Sequence, residues 1–389
     1  MGSVLAQVSF SPQFPIVIRM FRLNPCKPSN VPIQVLPAAK VIEGVHSTLS
    51  AKPLLPNPPL RDSQRQMALV FNTLRCSQIK VNNYATKEDA AEIVSTLLDS
   101  FDVPGPHGLH VCMVFDPLCE PLWMLKQRFH DDVLPLDVLK PVAKLILEGL
   151  GYLHSQCQIV HTGIIINNSL DLKPDNILMA LRDHSILDKV SQDEIKEPLP
   201  QKQLEDRTIY LSRNHFGVEA NGSGRPVITD FGLAVDGSRA HYHPIQPDSS
   251  RAPEVILGAG WSYSADIWNL AALLVELVHG SGPFDEPSSN SSTFTEEAHL
   301  ARIISVLGTS PVDMLREAKY SSRYFDAEGR RFKHPELISE SGGLEKIISS
   351  VEGDNKQAFL DLVSRMLRWR ADERDTVQGL LSDPWFQGL

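Results

Sequence analysis

Three short runs in this chain set acidic and amide oxygens at fixed spacing: Asp171-Leu172-Lys173-Pro174-Asp175-Asn176, then Asp230-Phe231-Gly232, then Ala252-Pro253-Glu254. Carboxylates and a carboxamide are hard oxygen ligands of the kind that Mg2+ takes. A lysine two residues after the first aspartate adds a compact positive charge beside them. Phosphoryl transfer calls for that combination, because it leaves a protein mainly positioning and charge neutralisation to supply. Each run alone has a plainer reading: Asp-Phe-Gly is a common tripeptide, Asp-x-x-x-x-Asn can be a capped turn, and Ala-Pro-Glu a helix start. Their joint occurrence in this order, with 25 residues from Asp230 through Glu254, gives them weight.

The elements that must hold these runs are legible in part. Leu139, Val142, Ile146, Leu150 and Leu153 fall at helical spacing and predict a helix leading towards His161, with Pro141 marking a late start or a kink. Apolar runs at 176–179 and 227–229 predict strands, and the polar, turn-rich residues between them, 181–226, predict a surface insertion that is partly helical. Residues 93–98 and 109–115 predict two strands around a turn at 103–108. Residues 265–279 are apolar almost all round and stop at Gly280, which predicts a helix buried in the centre of a helical lobe. Amphipathic helices are predicted over 299–307 and 357–369. Residues 1–66 carry ten of the 28 prolines and no convincing periodicity, so an extended or disordered leader is expected there.

At 389 residues with 42% apolar content, the chain can build a sizeable core. A formal charge of -10 gives no basic footprint for a phosphate backbone, so no direct nucleic-acid partner is expected. The five cysteines are spread out without a Cys-x-x-Cys pair, which speaks against a disulfide framework or a zinc site and fits a cytoplasmic or nuclear setting. The longest apolar stretch, 267–278, is too short to span a bilayer and contains Asn269 and Glu276. A monomer without membrane attachment is expected.

Taken together, the three runs resemble the signature of the eukaryotic protein kinases. The likeness is closer to the SR-protein kinases and their fungal relatives from about Thr96 onward, carried by His110-Val111-Cys112-Met113-Val114-Phe115, Tyr152-Leu153-His154-Ser155-Gln156-Cys157 and His161-Thr162. In that group a threonine replaces the arginine of His-Arg-Asp, and an insertion separates the catalytic loop from Asp-Phe-Gly. The resemblance implies ATP and Mg2+ as cofactors. It makes Asp171 the residue that accepts the substrate hydroxyl's proton, and Lys173 a neutraliser of the transferred phosphoryl group in the serine/threonine pattern. Asn176 and Asp230 become the metal ligands. Phe115 would be the gatekeeper and Asp116 to Leu118 the hinge against adenine, with core packing as a further reading for Phe115. Asp266 would brace the catalytic-loop backbone or simply cap its helix, and Arg374 would pair with Glu254 or lie on the surface.

The chain also departs from the family. Only Gly2 and Gly44 precede Gly105, so the Gly-rich loop over the ATP phosphates is missing. Ile79-Lys80-Val81 resembles the third-strand lysine motif with Glu92 as its partner, against the alternative of solvated surface charges. Eight residues, Gly163-Ile164-Ile165-Ile166-Asn167-Asn168-Ser169-Leu170, separate His161-Thr162 from Asp171, which adjoin in the family. Pro247 and Ser250 stand where the family has Thr and Tyr.

The expectation is an α+β, two-lobed protein-kinase-like fold: a leader at 1–66, an incomplete β-rich small lobe and hinge at 67–118, and a large helical lobe at 119–389. Transfer of the ATP γ-phosphoryl group to Ser or Thr, in proteins that include Arg/Ser-rich ones, is the leading function. A catalytically impaired pseudokinase acting as a scaffold stays open beside it. A small-molecule kinase fits less well, because such enzymes lack the Ala-Pro-Glu segment and the Asp266-Ile267-Trp268 helix.

Overall fold

The computed structural model describes residues 4–6, 17–22, 92–105, 108–163, 176–197, 200–203, 208–210, 223–285, 294–339, 343–349, 351 and 355–389. They belong to two compact units, Met1–Pro121 with Ile177–Gly232 and Leu122–Asn176 with Leu233–Leu389.

The first unit contains a four-stranded antiparallel sheet built from β1 (Val4–Ala6), β2 (Val17–Arg22), β3 (Leu97–Gly105) and β4 (Gly108–Phe115), in the order β1-β2-β4-β3. β4 lies inside that sheet, with Phe115 opposite both Val17 and Leu97. β1 and β2 lie within the stretch expected to be an extended or disordered leader. β2 pairs with β4, about ninety residues away in sequence, and such non-local pairing leaves no local signal to read. The hairpin also differs from its expected limits. β3 starts at Leu97 rather than residue 93 and runs through Pro104, which an edge strand tolerates. Ile93 and Val94 are instead buried, with Val94 bridging to Ile228 and Ser95 N donating to Ile228 O at 2.9 Å.

A three-stranded sheet in the same unit joins β5 (Leu118–Pro121), β6 (Ile177–Leu181) and β9 (Ser223–Ile228), in the order β9-β6-β5. Ile177, Met179 and Leu181 alternate inward along β6, as a half-buried strand requires. Gly224 is obligatory in this sheet, since a Cβ there would sit 2.9 Å from the Ala180 carbonyl oxygen. Between β6 and β9, the expected insertion contains a helix at Ile186–Lys196 and a hairpin of β7 (Gln201–Gln203) with β8 (Thr208–Tyr210).

The second unit is helical. Its longer helices are α1 (Leu136–Ser155), α3 (Ser264–His279), α4 (Glu296–Leu307) and α5 (Asn355–Met366), with the short α2 (Pro253–Leu257) between α1 and α3 in sequence. Leu139, Val142, Ile146, Leu150 and Leu153 of α1 are all buried, as their spacing predicts. Pro141 neither delays nor ends the helix, which begins five residues earlier. α3 is buried along most of its length and packs against α1 and α5. Gly280 ends it at φ 87°, a left-handed conformation that glycine adopts without cost.

Trp268 in α3 is fully buried, stacks on Phe284 with ring centroids 5.1 Å apart, and donates Nε1–H to Ser250 O at 2.9 Å. Truncating a buried tryptophan costs about 3–5 kcal/mol, because the cavity adds to the lost transfer energy. Trp268→Ala should therefore lower the unfolding free energy of the helical unit by that amount, measured by urea titration followed by far-UV circular dichroism. A loss under about 1 kcal/mol would show that this helix is not the core of the unit.

Candidate functional site

In the helical unit, Asp266 lies in the first turn of α3 and is 4% exposed. Its carboxylate accepts His161 N at 2.8 Å and Thr162 N at 2.9 Å, and His154 Nε2 lies 2.9 Å from it. A buried carboxylate is tolerable only with such donors, so the bracing reading of Asp266 holds over that of a helix cap. The helix cap position is Tyr263. A second clamp acts from the strand side: Val235 and Asp236 pair with Val160 and Ile159, and Thr162 Oγ1 donates to Leu233 O at 3.0 Å.

Thr162 and Gly163 follow each other at φ 70° and φ 64°. A Cβ on Gly163 would fall 2.5 Å from Asn269 Nδ2, so no side chain fits where the chain leaves this anchor. Asn269 is three residues beyond Asp266 on α3, and both therefore face the same way. Asp171, Lys173 and residues 164–170 of the extra segment lie outside the described residues, as does Lys80. Asn176 is described and half-buried.

In the first unit, β9 delivers the chain through the buried Thr229 to Asp230. Asp230 is held at φ 64°, an uncommon conformation for a residue with a side chain. Its Oδ1 accepts Gly232 N at 3.2 Å, and its other oxygen has no partner among the described residues. Phe231 is buried beside it. Asp116 is exposed and Leu118 half-buried in the step from β4 to β5, with Leu118 opposite Ala180. Phe115 is buried. Glu92, a candidate partner for Lys80, forms an ion pair with Arg225 at 2.6 Å near the surface.

The segment before Ala252 is tied down by residues that the sequence did not single out. Gln246, fully buried at φ 70°, donates Nε2–H to Ala265 O at 3.0 Å and accepts Ala252 N on Oε1 at 2.7 Å. Arg251 donates to Ile245 O, Gln246 O and Asp248 Oδ1, the last at 2.6 Å, and meets Glu296 at 3.6 Å. His299 of α4 donates Nε2–H to Arg251 O at 2.8 Å between the rings of Phe284 and Phe294. Burial first, and the Arg251 charge with it, push the His299 imidazole down to about 4, against the opposing pull of the Arg251 carbonyl and Asp248. Glu254 and Arg374 form a two-pronged pair, 2.6 Å on each prong, with both side chains almost wholly buried. Arg374 also lies over the Trp268 ring at 4.8 Å. The buried pairing therefore replaces the surface reading for Arg374.

Comparison with known proteins agrees with this layout. The protein kinase domain family matches residues 83–386. A serine/threonine protein kinase of Aspergillus fumigatus is 35% identical over 307 residues, covering 78% of this chain and 72% of that protein. The serine/threonine-protein kinase SRPK of Physarum polycephalum is 30% identical over 313 residues, covering 75% and 70%. The serine/threonine-protein kinase AFC3 of Arabidopsis thaliana is 29% identical over 287 residues, covering 72% and 64%.

Removing one partner of a buried ion pair strands the other charge, at a cost of about 3–5 kcal/mol, whereas replacing both by apolar groups is often neutral. Arg374→Met alone should lose that much in urea unfolding, and Glu254→Leu with Arg374→Met should recover most of it. Equal losses would mean that packing, not the stranded carboxylate, sets the cost. His299 gives a pH-dependent counterpart. Its folded value lies below the ordinary 6.5, so the unfolded chain binds the extra proton. The contribution is complete above about pH 6.5 and is lost as pH falls towards 4, by about 3 kcal/mol in all. His299→Gln, which keeps an N–H for Arg251 O, should flatten the fall in unfolding free energy between pH 7 and pH 4.5. An unchanged slope would remove His299 as its source.

Proposed function

We propose a site-by-site mechanism on the premise that the chain belongs to the eukaryotic protein kinase family, as an ATP-dependent serine/threonine protein kinase resembling the SR-protein kinases. The α+β, two-lobed fold is that family's, and the family generally uses ATP and Mg2+. The acceptors we propose are serines and threonines of Arg/Ser-rich proteins.

In this reading Asp171 takes the proton from the acceptor hydroxyl, and Lys173 neutralises charge on the phosphoryl group in transit. Asp230 and Asn176 would hold Mg2+, which when bound supplies charge neutralisation on the phosphates. The donor set suits a hard cation: Asp230 spends one carboxylate oxygen on Gly232 N and keeps the other without a partner among the described residues. No three His, Cys, Asp or Glu side chains are grouped as a metal cage among the described residues. Mg2+ at such sites commonly relies on one or two carboxylates and substrate phosphates instead. Backbone groups of 116–118 would meet adenine. Lys80 is the candidate for the lysine that meets the phosphates.

The observation that carries this reading is the grip of Asp266 on the amides of His161 and Thr162, the pair that carries the resemblance to the family just ahead of Asp171 in sequence. Asp230→Asn should abolish Mg2+-dependent ATP binding in a thermal-shift titration, because ligand binding to the native state alone must raise apparent stability. Asp171→Ala should keep that shift and lower turnover on an Arg/Ser-rich peptide by roughly 10²-fold or more. Undiminished binding by the first variant would end the metal assignment. Equal turnover by the second would end that of the base. Nucleotide binding without turnover in the unmodified chain would favour the impaired, scaffolding reading.

A further inference from the structure

The chain is acidic overall, yet residues 319–333 hold five cations, Lys319, Arg323, Arg330, Arg331 and Lys333, against two acids, Asp326 and Glu328. All five are exposed, and none makes an ion pair with a carboxylate among the described residues. Four buried or half-buried arginines of the same unit behave otherwise: Arg251, Arg365, Arg370 and Arg374 pair with acids.

Several of these cations are held rather than loose. The Arg323 guanidinium lies 4.4 Å and the Lys319 ammonium 5.3 Å from the centroid of one ring, that of Tyr320. That ring is itself wedged over Gly258, where a Cβ would meet it at 2.6 Å. Lys333 Nζ donates to Ser322 O at 2.6 Å, next to Arg323. The carboxylate of Asp326 faces its own hairpin, accepting Arg330 N at 2.7 Å, which leaves Glu328 as the exposed acid of the stretch. Cations already ordered by a ring or a carbonyl lose less side-chain entropy when they meet an anion.

This surface is joined to the segment around Ala252-Pro253-Glu254. Tyr320 N donates to Leu257 O at 2.8 Å and Lys319 N to Gly258 O at 3.4 Å, at the end of α2. Glu296 meets Arg251 on one side and accepts the Tyr324 hydroxyl on the other, beside Arg323.

We propose that the surface formed by Lys319, Tyr320, Arg323, Arg330, Arg331 and Lys333 docks an acidic segment of the protein substrate, apart from the residue that receives phosphate. Charge complementarity favours an acidic peptide, and the chain's overall charge of -10 works against a long polyanion such as RNA. The inference rests on the kinase reading for its role but not for its binding chemistry.

The test uses the full chain and a fluorescein-labelled octa-glutamate peptide, read by anisotropy at low and high salt, without nucleotide. Binding should weaken with salt and fall by at least about tenfold in Lys319→Glu with Arg323→Glu. An Arg/Ser-rich peptide carrying the same acidic tail should have a KM at least about tenfold below its untailed form, and the double variant should remove that gain while leaving turnover of the untailed peptide unchanged. No binding, equal binding by the double variant, tighter binding of a uridine oligonucleotide, or an active enzyme indifferent to the tail would each overturn the proposal. A preparation inactive on the untailed peptide counts against the kinase reading alone, because the anisotropy arm still decides the docking surface.

Discussion

A single buried carboxylate sets the geometry of the helical unit's functional end. Asp266 is held in a helix that lies among apolar side chains, and it is tolerated there because two backbone amides and an imidazole converge on it. The dependence runs both ways. The His161-Thr162 backbone would otherwise present orphan donors in a buried place, and Asp266 would otherwise be an unpaired buried charge. Thr162 then adds its hydroxyl bond to Leu233 O, so the same two residues tie α3 to the stretch that follows Asp-Phe-Gly in sequence.

A second polar knot stabilises the segment around Ala252. Glu254, Arg374, Gln246, Arg251 and His299 form a set of buried bonds, some within the segment and others tying it to α3, to α4 and to Arg374. Trp268 closes the set from the apolar side, with its indole N–H on Ser250 O and its face under Arg374. Buried polar networks of this kind specify one arrangement strongly when satisfied and are costly when broken.

Much of the helical unit was legible in the sequence. The spacing of Leu139 through Leu153 and the glycine after His279 lead directly to the observed helices, because burial of one face and a left-handed stop are local properties. The three motifs draw attention to Asp230, which is held at φ 64°, and to Glu254, which is buried in its pair with Arg374. Gln246, Arg251 and His299 left no such trace, since polar residues in a loop or a helix look alike until their distant partners are known. The edges of the small sheet were less legible for the same reason. β2 is a strand through its pairing with β4, and β3 runs past the point where Pro104 and Gly105 suggest a turn.

The left-handed anchor at Thr162 and Gly163 bears on how this chain tolerates change. Its Thr162 N–H is one of the donors that pair the Asp266 carboxylate, and its hydroxyl holds Leu233 O. A change that removed this anchor would strand a buried charge, at a cost of about 3–5 kcal/mol. That is a large share of a domain's whole stability, so such a variant would reach the cell's proteases before its chemistry was tried.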